Sequence, residues 1–436
     1  MYDQNDTIYA LASGLGTAGV AVIRISGAES LNILKKLTKI KKPEPNHAYF
    51  SPISFNGNVL DRALVLYFHA PHSFTGEDIV ELQVHGGRGV VQAVLKALSS
   101  FRNCRPAERG EFSRRAVING KMDLTEAEGL LDLVHAETEQ QRRQALAQMD
   151  GNLSNLYESW RSQLVHHLAY AEAFIDFPEE DIPPEKEHEI NRDIQSLIDQ
   201  IQSHLNDEKR GERLREGFQI AIIGAPNVGK SSLINALTHK EVAIVSQIAG
   251  TTRDIIEAHL DVDGFPVVLA DTAGLRENAG QIEAEGIKRA VKKAEQADLI
   301  LFVQDATTKQ RQPIPNALLE KRVITIWNKK DLIKNKTIEN GHYISAKTGA
   351  GITALWTEIK QILLAFASDG AVITRERYRI ALKECVAALK SALKAGALEL
   401  KTEDLRMAAR ALGRITGRIE VDELLDVIFR DFCIGK

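Results

Sequence analysis

The run Gly224-Ala-Pro-Asn-Val-Gly-Lys-Ser231 has the spacing of a phosphate-binding loop, two glycines four residues apart followed by Lys and Ser. The chemistry needs those residue types. Gly224 and Gly229 let the backbone turn tightly and approach the phosphates, so that successive N–H groups, those of Asn227, Val228 and Gly229 among them, face inward as an anion cradle. Lys230 supplies a point charge for the β- and γ-phosphates, Ser231 a hydroxyl ligand for Mg²⁺, and Ser232 follows it into the helix. The flanks suit this use. Phe218 to Ile223 reads as a buried strand, and Ser231 to Leu237 as a helix whose N-terminus faces the phosphates.

Three further motifs select guanine. Asp271-Thr272-Ala273-Gly274 follows the apolar strand Val267–Ala270 and puts a carboxylate near Mg²⁺ and a glycine N–H near the γ-phosphate. Asn328-Lys329-Lys330-Asp331 follows the strand Arg322–Trp327. A carboxylate there accepts from both N1–H and the 2-amino group of guanine, donors that adenine lacks. Ser345-Ala346-Lys347 closes the series after another short strand. The segment resembles the translation-factor-like P-loop GTPases, and the resemblance implies that Asp331 reads the base while Ser345, Ala346 and Lys347 pack against it.

The elements that position these motifs belong to a longer chain. Its 436 residues predict two to four domains. With 44% hydrophobic and 26% charged residues it reads as soluble and globular. The net charge of −4 excludes a global basic field, so any RNA contact uses local patches. Cys104, Cys385 and Cys433 lie far apart, without metal or disulfide spacing, as in a reducing cytosol. The polar, acidic start lacks a signal peptide, and no apolar run spans a bilayer. The expected class is multidomain α/β plus α. Residues 1–120 read as α/β, with strands at Gly19–Ser26, Ala63–Phe68 and Asp78–Val84, a helix over Gly87–Leu98, and connections at Leu60–Ala63, Phe74–Glu77 and His85–Gly87. His85 reads as a turn residue rather than a catalytic one. Residues 121–214 read as all-helical, interrupted by the proline-rich elbow Phe177–Pro184. Residues 215–372 form the G domain, and residues 373–436 return to helix. An inserted G domain has close termini, so the helices on either side are expected to form one bundle.

The layout narrows the family. Ile248-Ala249-Gly250-Thr251-Thr252-Arg253-Asp254 stands in the first switch region, Asn119-Gly-Lys-Met-Asp-Leu124 at the first boundary, and Phe432-Cys-Ile-Gly-Lys436 at the end. Together these resemble the MnmE (TrmE) family of tRNA-modification GTPases over essentially the whole chain. The resemblance implies an N-terminal folate-binding and dimerising domain, a helical domain built from two segments, and an inserted Ras-like G domain. It implies a cytoplasmic homodimer that works with the flavoprotein MnmG on tRNA. The modification implied is an aminomethyl or carboxymethylaminomethyl group at C5 of the wobble uridine, from a 5-formyltetrahydrofolate-type donor. It assigns Arg24, Glu81, Lys121 and Lys436 to folate: a carboxylate suits the pterin donors, and cations suit the glutamate tail. Cys433 is its candidate reactive thiol.

For hydrolysis, Leu275 occupies the place where Ras-type enzymes carry a water-positioning glutamine. The resemblance implies Glu283 instead, with Glu285 as its rival. It also implies potassium in place of an arginine finger, held by the Asn227 side chain and by backbone oxygens around Ser246, Ile248 and Thr251, with Thr252 on Mg²⁺ beside Ser231. Gln247, Ala249 and Gly250 complete that nucleotide loop, and Arg253 is the alternative finger. Arg406, Arg410, Arg414 and Arg418 recur every fourth residue, a helical stripe suited either to phosphates or to ion pairs with Glu403, Glu420 and Asp422. The competing class is an RNA-binding ribosome-assembly GTPase, which would carry a KH-like clamp that the sequence lacks.

Overall fold

In the N-terminal strands apolar residues alternate, as at Ala63, Val65 and Tyr67, so each strand buries one face. The computed structural model describes residues 6–14, 16–176, 184–239, 242–243, 257–271, 291–308, 310–333, 340–365, 372–419, 425 and 428–435. It divides into two compact units. The first holds Met1–Leu131, Tyr157–Arg161 and Ala409–Lys436. Its strands are β1 (Thr7–Leu11), β2 (Ala18–Ser26), β3 (Ala48–Phe55), β4 (Asn58–Phe68), β5 (Ile79–Gly86) and β6 (Cys104–Pro106), in the sheet order β3-β4-β5-β2-β1-β6. Only the β1–β6 pairing is parallel. Helices α1 (Ser30–Leu37) and α2 (Arg88–Leu98) bury Leu34, Leu37, Val94 and Leu98 against Ile23, Ile25, Val65 and Leu82. Helix α3 (Glu111–Ile118) places Phe112 against Ile8 and Ala10. Residues from the far end of the chain complete this unit: Leu425, Ile428, Phe429 and Phe432 pack on Leu124 and Ala127.

The expected connection at Leu60–Ala63 is corrected: those residues lie inside β4. The polar pair Asp61-Arg62 imitates a turn, but the hairpin reverses at Asn56-Gly57, where φ is +49° and +80°. Asn-Gly is the pair that tolerates two left-handed residues. His85 stands within β5 rather than in a turn, its Nδ1 2.8 Å from Asp61 Oδ1.

The second unit holds Asp132–Leu156 and Ser162–Ala408. Its sheet comprises β7 (Phe218–Gly224), β8 (Val242–Ala243), β9 (Glu257–Val262), β10 (Phe265–Asp271), β11 (Leu299–Asp305), β12 (Val323–Asn328) and β13 (His342–Tyr343). The order is β13-β12-β11-β7-β10-β9-β8, parallel from β13 to β10. Helices Lys230–Thr238 and Ile352–Leu364 cover one face with Leu233, Leu237, Leu355 and Ile359. Chain order reverses on either side of β7, so a crevice for ligand opens at its carboxyl end.

The segments before and after this sheet are tied together. Arg375 makes a two-pronged pair with Asp132 at 2.7 and 2.9 Å. Arg379 reaches Asp207 at 2.8 Å and Glu212 at 3.3 Å. Gly211 lies so close to the later strand of chain that a Cβ would stand 2.5 Å from the Ile373 carbonyl oxygen. Of the expected elbow Phe177–Pro184, residues 177–183 lie outside the described residues, and Pro184 opens the helix Pro184–Leu205. Among the described residues, no helix is long and apolar enough to cross a membrane.

Candidate functional site

The phosphate-binding loop sits where β7 gives way to the helix Lys230–Thr238. Gly224 has φ +155°, and a Cβ on it would meet the Val303 carbonyl oxygen at 2.2 Å. Gly229 has φ +96°, and its Cβ would meet Asn328 Nδ2 at 2.3 Å. Both glycines are therefore demanded by backbone shape and by close neighbours. Asn227 is left-handed at φ +61°, a conformation asparagine tolerates, and it is exposed. Lys230 Nζ donates to the carbonyls of Gly224 at 3.0 Å and Ala225 at 2.8 Å, bridging its own loop. Ser231 and Ser232 are exposed in the first turn, where Gly229 caps the helix without a side chain.

The base-side motifs meet this loop through Asn328. Its Nδ2 donates to the Val228 carbonyl at 2.8 Å, and its Oδ1 accepts from Ala346 N–H at 3.0 Å. One buried amide thus joins three loops. Ser345 donates its hydroxyl to Asp331 Oδ1 at 2.5 Å, and this bond first, with the Lys347 charge as a lesser cause, holds the Asp331 carboxyl below its ordinary value. Lys329, left-handed at φ +67°, pairs with Asp305 at 2.6 Å. Burial raises the Asp305 carboxyl, but Lys329 and Thr307 outweigh it and the net shift is downward. Asp305 escaped the sequence reading, although a carboxylate closing an apolar strand was a usable signal.

The structure therefore brings together Asn227, Val228, Gly229, Lys230, Ser231, Asn328, Ser345 and Ala346, with Asp331 alongside. Asp271 is the last residue of β10, and its side chain is not described. Ser246, Gln247, Ile248, Ala249, Gly250, Thr251, Thr252, Arg253, Thr272, Ala273, Gly274, Glu283, Glu285 and Lys436 lie outside the described residues.

A second group of expected residues occupies the N-terminal sheet. Arg24 and Glu81 are directly opposite across β2 and β5 and form an ion pair at 2.9 Å. The Arg24 guanidinium also lies over the rings of Phe74 (5.3 Å) and Phe112 (5.7 Å), neither of which the sequence singled out. Lys121 Nζ donates to the Pro71 carbonyl at 2.9 Å, so it steadies the same loop between β4 and β5 that supplies Phe74. Asn119 Nδ2 holds that loop at the Thr75 carbonyl, 2.7 Å away. Beneath lies an ion network: Glu111 takes Arg105 at 2.7 Å and Arg115 at 3.0 Å, and Arg115 takes Glu77 at 3.1 Å.

Cys433 is exposed in the tail. Its carbonyl accepts from Gly110 N–H at 3.4 Å, Ile434 bridges to Arg109, and Gly435 is buried where a Cβ would stand 2.3 Å from the Leu11 carbonyl oxygen. The tail is thus seated at the end of β1, whose Ala10 is opposite Arg24. Burial pushes the Cys104 and Cys385 thiols up to about 12, so neither is a ready nucleophile.

The arginine stripe is corrected at one position. The helix ends at Thr416, and Gly417 (φ +80°) turns the chain, so Arg418 lies beyond it and pairs with Glu158 at 3.1 Å. Arg406 is occupied by Glu172 at 2.8 Å and by Glu403.

Comparison with known proteins places these sites in context. A family model described as the MnmE helical domain matches residues 124–433, and one described as the GTP-binding protein TrmE N-terminus matches residues 7–121. The tRNA modification GTPase MnmE of Rhodospirillum rubrum is 51% identical over 453 residues, covering 99% of this chain and 99% of that protein. That of Paramagnetospirillum magneticum is 50% identical over 441 residues, covering 99% and 100%. A crystal structure of Aquifex aeolicus Era bound to GDP·AlF4⁻ is 28% identical, covers 39% of this chain and 66% of its own, and has a TM-score of 0.27.

Proposed function

Because the chain belongs to the MnmE family of tRNA modification GTPases, we propose that it is a potassium-activated GTPase whose G domains pair during turnover. In this reading it works as a cytoplasmic homodimer with the flavoprotein MnmG. Together they use a 5-formyltetrahydrofolate-type donor to build an aminomethyl or carboxymethylaminomethyl group at C5 of uridine 34 in tRNA. The observation that carries the reading is the joining of phosphate loop and base loops through Asn328, on a chain that matches such enzymes end to end.

The chain's residues divide the work on GTP, which the family hydrolyses with Mg²⁺. Loop N–H groups and Lys230 hold the β- and γ-phosphates, and Ser231 offers its hydroxyl to Mg²⁺. Asp331, whose carboxylate is held in place by the Ser345 hydroxyl, accepts from guanine. Asn227 fits a potassium ligand because its neutral amide oxygen stands exposed on a left-handed turn of the loop. When bound, the two cations would spread positive charge over the phosphates, work that an arginine finger does elsewhere for roughly 10³–10⁵ in rate. Glu283 would orient the attacking water, and Thr252 would join Ser231 in holding Mg²⁺.

In the N-terminal unit, Glu81 suits pterin donors, and Arg24, Lys121 and Lys436 suit an anionic tail. The half-buried Phe74 ring beside Arg24 adds a flat apolar surface of the kind a pterin needs, while the buried Phe112 ring backs the Arg24 guanidinium. Cys433 is the candidate nucleophile of the modification step.

GTP turnover in KCl against NaCl at equal ionic strength tests the G-domain half of the reading. Stimulation by potassium in the wild type, lost in Asn227→Ala, is the expected result. Equal rates in both salts would remove the potassium site and bring Arg253 forward. Equilibrium dialysis with 5-formyltetrahydrofolate tests the other half: Arg24→Ala and Lys121→Ala lose the ligand while GTP turnover persists.

A further inference from the structure

We propose that a cleft on the N-terminal unit, remote in sequence from every motif above, takes up an unpaired nucleotide of the tRNA substrate. The cleft has a volume of about 330 Å³ and is lined by Lys36, Ser54, Phe55, Asn56, Gly57 and Phe101. That is the size of a small-ligand site. Phe55 and Phe101 form its apolar walls, with centroids 6.0 Å apart and planes inclined at 49°. The rings touch each other, so a planar base would stack on the open side of the wedge rather than between them. Lys36 Nζ stands 5.6 Å from the Phe101 centroid, so the cation and the stacking surface face the same space. The Ser54 hydroxyl and the Asn56 amide at the hairpin turn supply polar groups for base edges.

The charge around the cleft supports the same ligand. Residues 30–60 hold Lys35, Lys36, Lys39, Lys41 and Lys42 against the single acid Glu44, in a chain whose net charge is −4. Lys96 and Arg102 flank the stretch that carries Phe101. All seven cations are exposed, and among the described residues none lies within 4.0 Å of a carboxylate. A lysine run alone is most simply a solvated surface. Here it borders an aromatic-walled cleft, and unpaired, unstacked nucleotides are recognised by that combination of cations and stacking rings. The negative total charge makes a local patch of this kind the means by which the chain meets polyanionic RNA.

The inference rests on tRNA being the substrate, and the test separates the two ideas. The full-length protein is titrated into a fluorescent anticodon stem-loop RNA and into whole tRNA, at several salt concentrations. Phe101→Leu keeps apolar bulk but removes the ring, and should weaken binding about five-fold or more. Lys36→Glu with Lys39→Glu should weaken it further and lower the salt slope by about 1.4. RNA-free GTP turnover should be unchanged in both. If Phe101→Leu melts early, photocrosslinking of 4-thiouridine RNA to peptides around residues 54–57 and 101 replaces it, with crosslinks expected there. Wild-type affinity in all variants would overturn the cleft and leave the tRNA reading standing. Loss in the lysine variant alone, with Phe101→Leu and Phe55→Leu unaffected, would overturn it as a merely basic surface. Loss of a co-purifying protein at unchanged RNA affinity would overturn it in favour of a protein contact. A wild type that binds neither RNA would defeat the tRNA reading itself.

Discussion

The side chain of Asn328 donates to the backbone carbonyl of Val228 at 2.8 Å, so the loop that recognises the base holds the loop that binds phosphate. Asn328 is 3% exposed, and its other amide atom is spent on Ala346 N–H. Replacing it by Ala leaves two backbone groups unpaired, at about 1–3 kcal/mol. The expected result is a loss of roughly tenfold or more in GTP affinity, measured with a fluorescent GTP analogue. Affinity within twofold of the wild type would show that the loops hold their places without the tie.

Acid should expose the part played by Ser345. The Asp331 carboxyl is depressed when folded, so the ionised acceptor for guanine persists to a lower pH than an ordinary aspartate would. Ser345→Ala removes the main cause of that depression. Its GTP binding should then begin to fail at a higher pH than in the wild type, with little change near neutrality. Superimposable acid limbs would contradict the assignment.

Glu111 should matter more for stability than for turnover. It is 4% exposed between Arg105 and Arg115. Burial raises its carboxyl, but the Arg105 hydrogen bond, the Glu108 N–H and the two guanidinium charges outweigh that and bring it below its ordinary value. A depressed carboxyl stabilises the fold above its unfolded pKa, and the contribution fades as pH falls through the folded value. Glu111→Gln removes the carboxylate that Arg105 and Arg115 share, leaving Asp6 and Glu77 as their partners, and should cost about 1.5 kcal/mol at neutral pH. Calorimetry should show the gap between wild type and mutant narrowing on acidification. A gap that widens would reverse the sign of the argument.

Seating of the tail can be tested at Gly435. Its φ of +106° and the 2.3 Å approach to the Leu11 carbonyl oxygen leave no space for a methyl group. Gly435→Ala should dislodge Cys433 and Ile434. Amide exchange at Gly110, whose N–H meets the Cys433 carbonyl, should accelerate. Modification of tRNA should fall while turnover of GTP by the protein alone continues. Unchanged exchange at Gly110 would mean that the tail stays in place.

The G-domain motifs were legible in the sequence because each fixes a backbone shape that few residue types permit. Gly224 and Gly229 are such positions, and the apolar strands around them left little choice of register. The strands at Gly19–Ser26 and Asp78–Val84 were legible for a similar reason, alternation over a covered face. What stayed hidden depended on partners remote in sequence. Thr7–Leu11 is too short to declare itself, and its pairing with β6 is created only by the fold. Phe74 stands in a connection and Phe112 carries no motif, so neither stands out until Arg24 is placed over them. Asp61 looked like a loop residue because a strand with one open face can carry charge there. The arginine stripe misled at Arg418 because Gly417 ends the helix, a stop signal outweighed by the repeat of four.

The packing of Leu425, Ile428, Phe429 and Phe432 against Leu124 and Ala127 imposes an order on synthesis. Domains generally fold as they leave the ribosome, the earliest part first. Here the first unit to emerge lacks four of the six buried residues of one hydrophobic cluster until nearly the whole chain has been translated, whereas β7 to β13 with their covering helices have nearby partners and can close sooner. A nascent chain stalled before residue 425 would present Leu124, Ala127 and the bare end of β1 to chaperones. Quality control would thus act on this protein chiefly through its oldest segment.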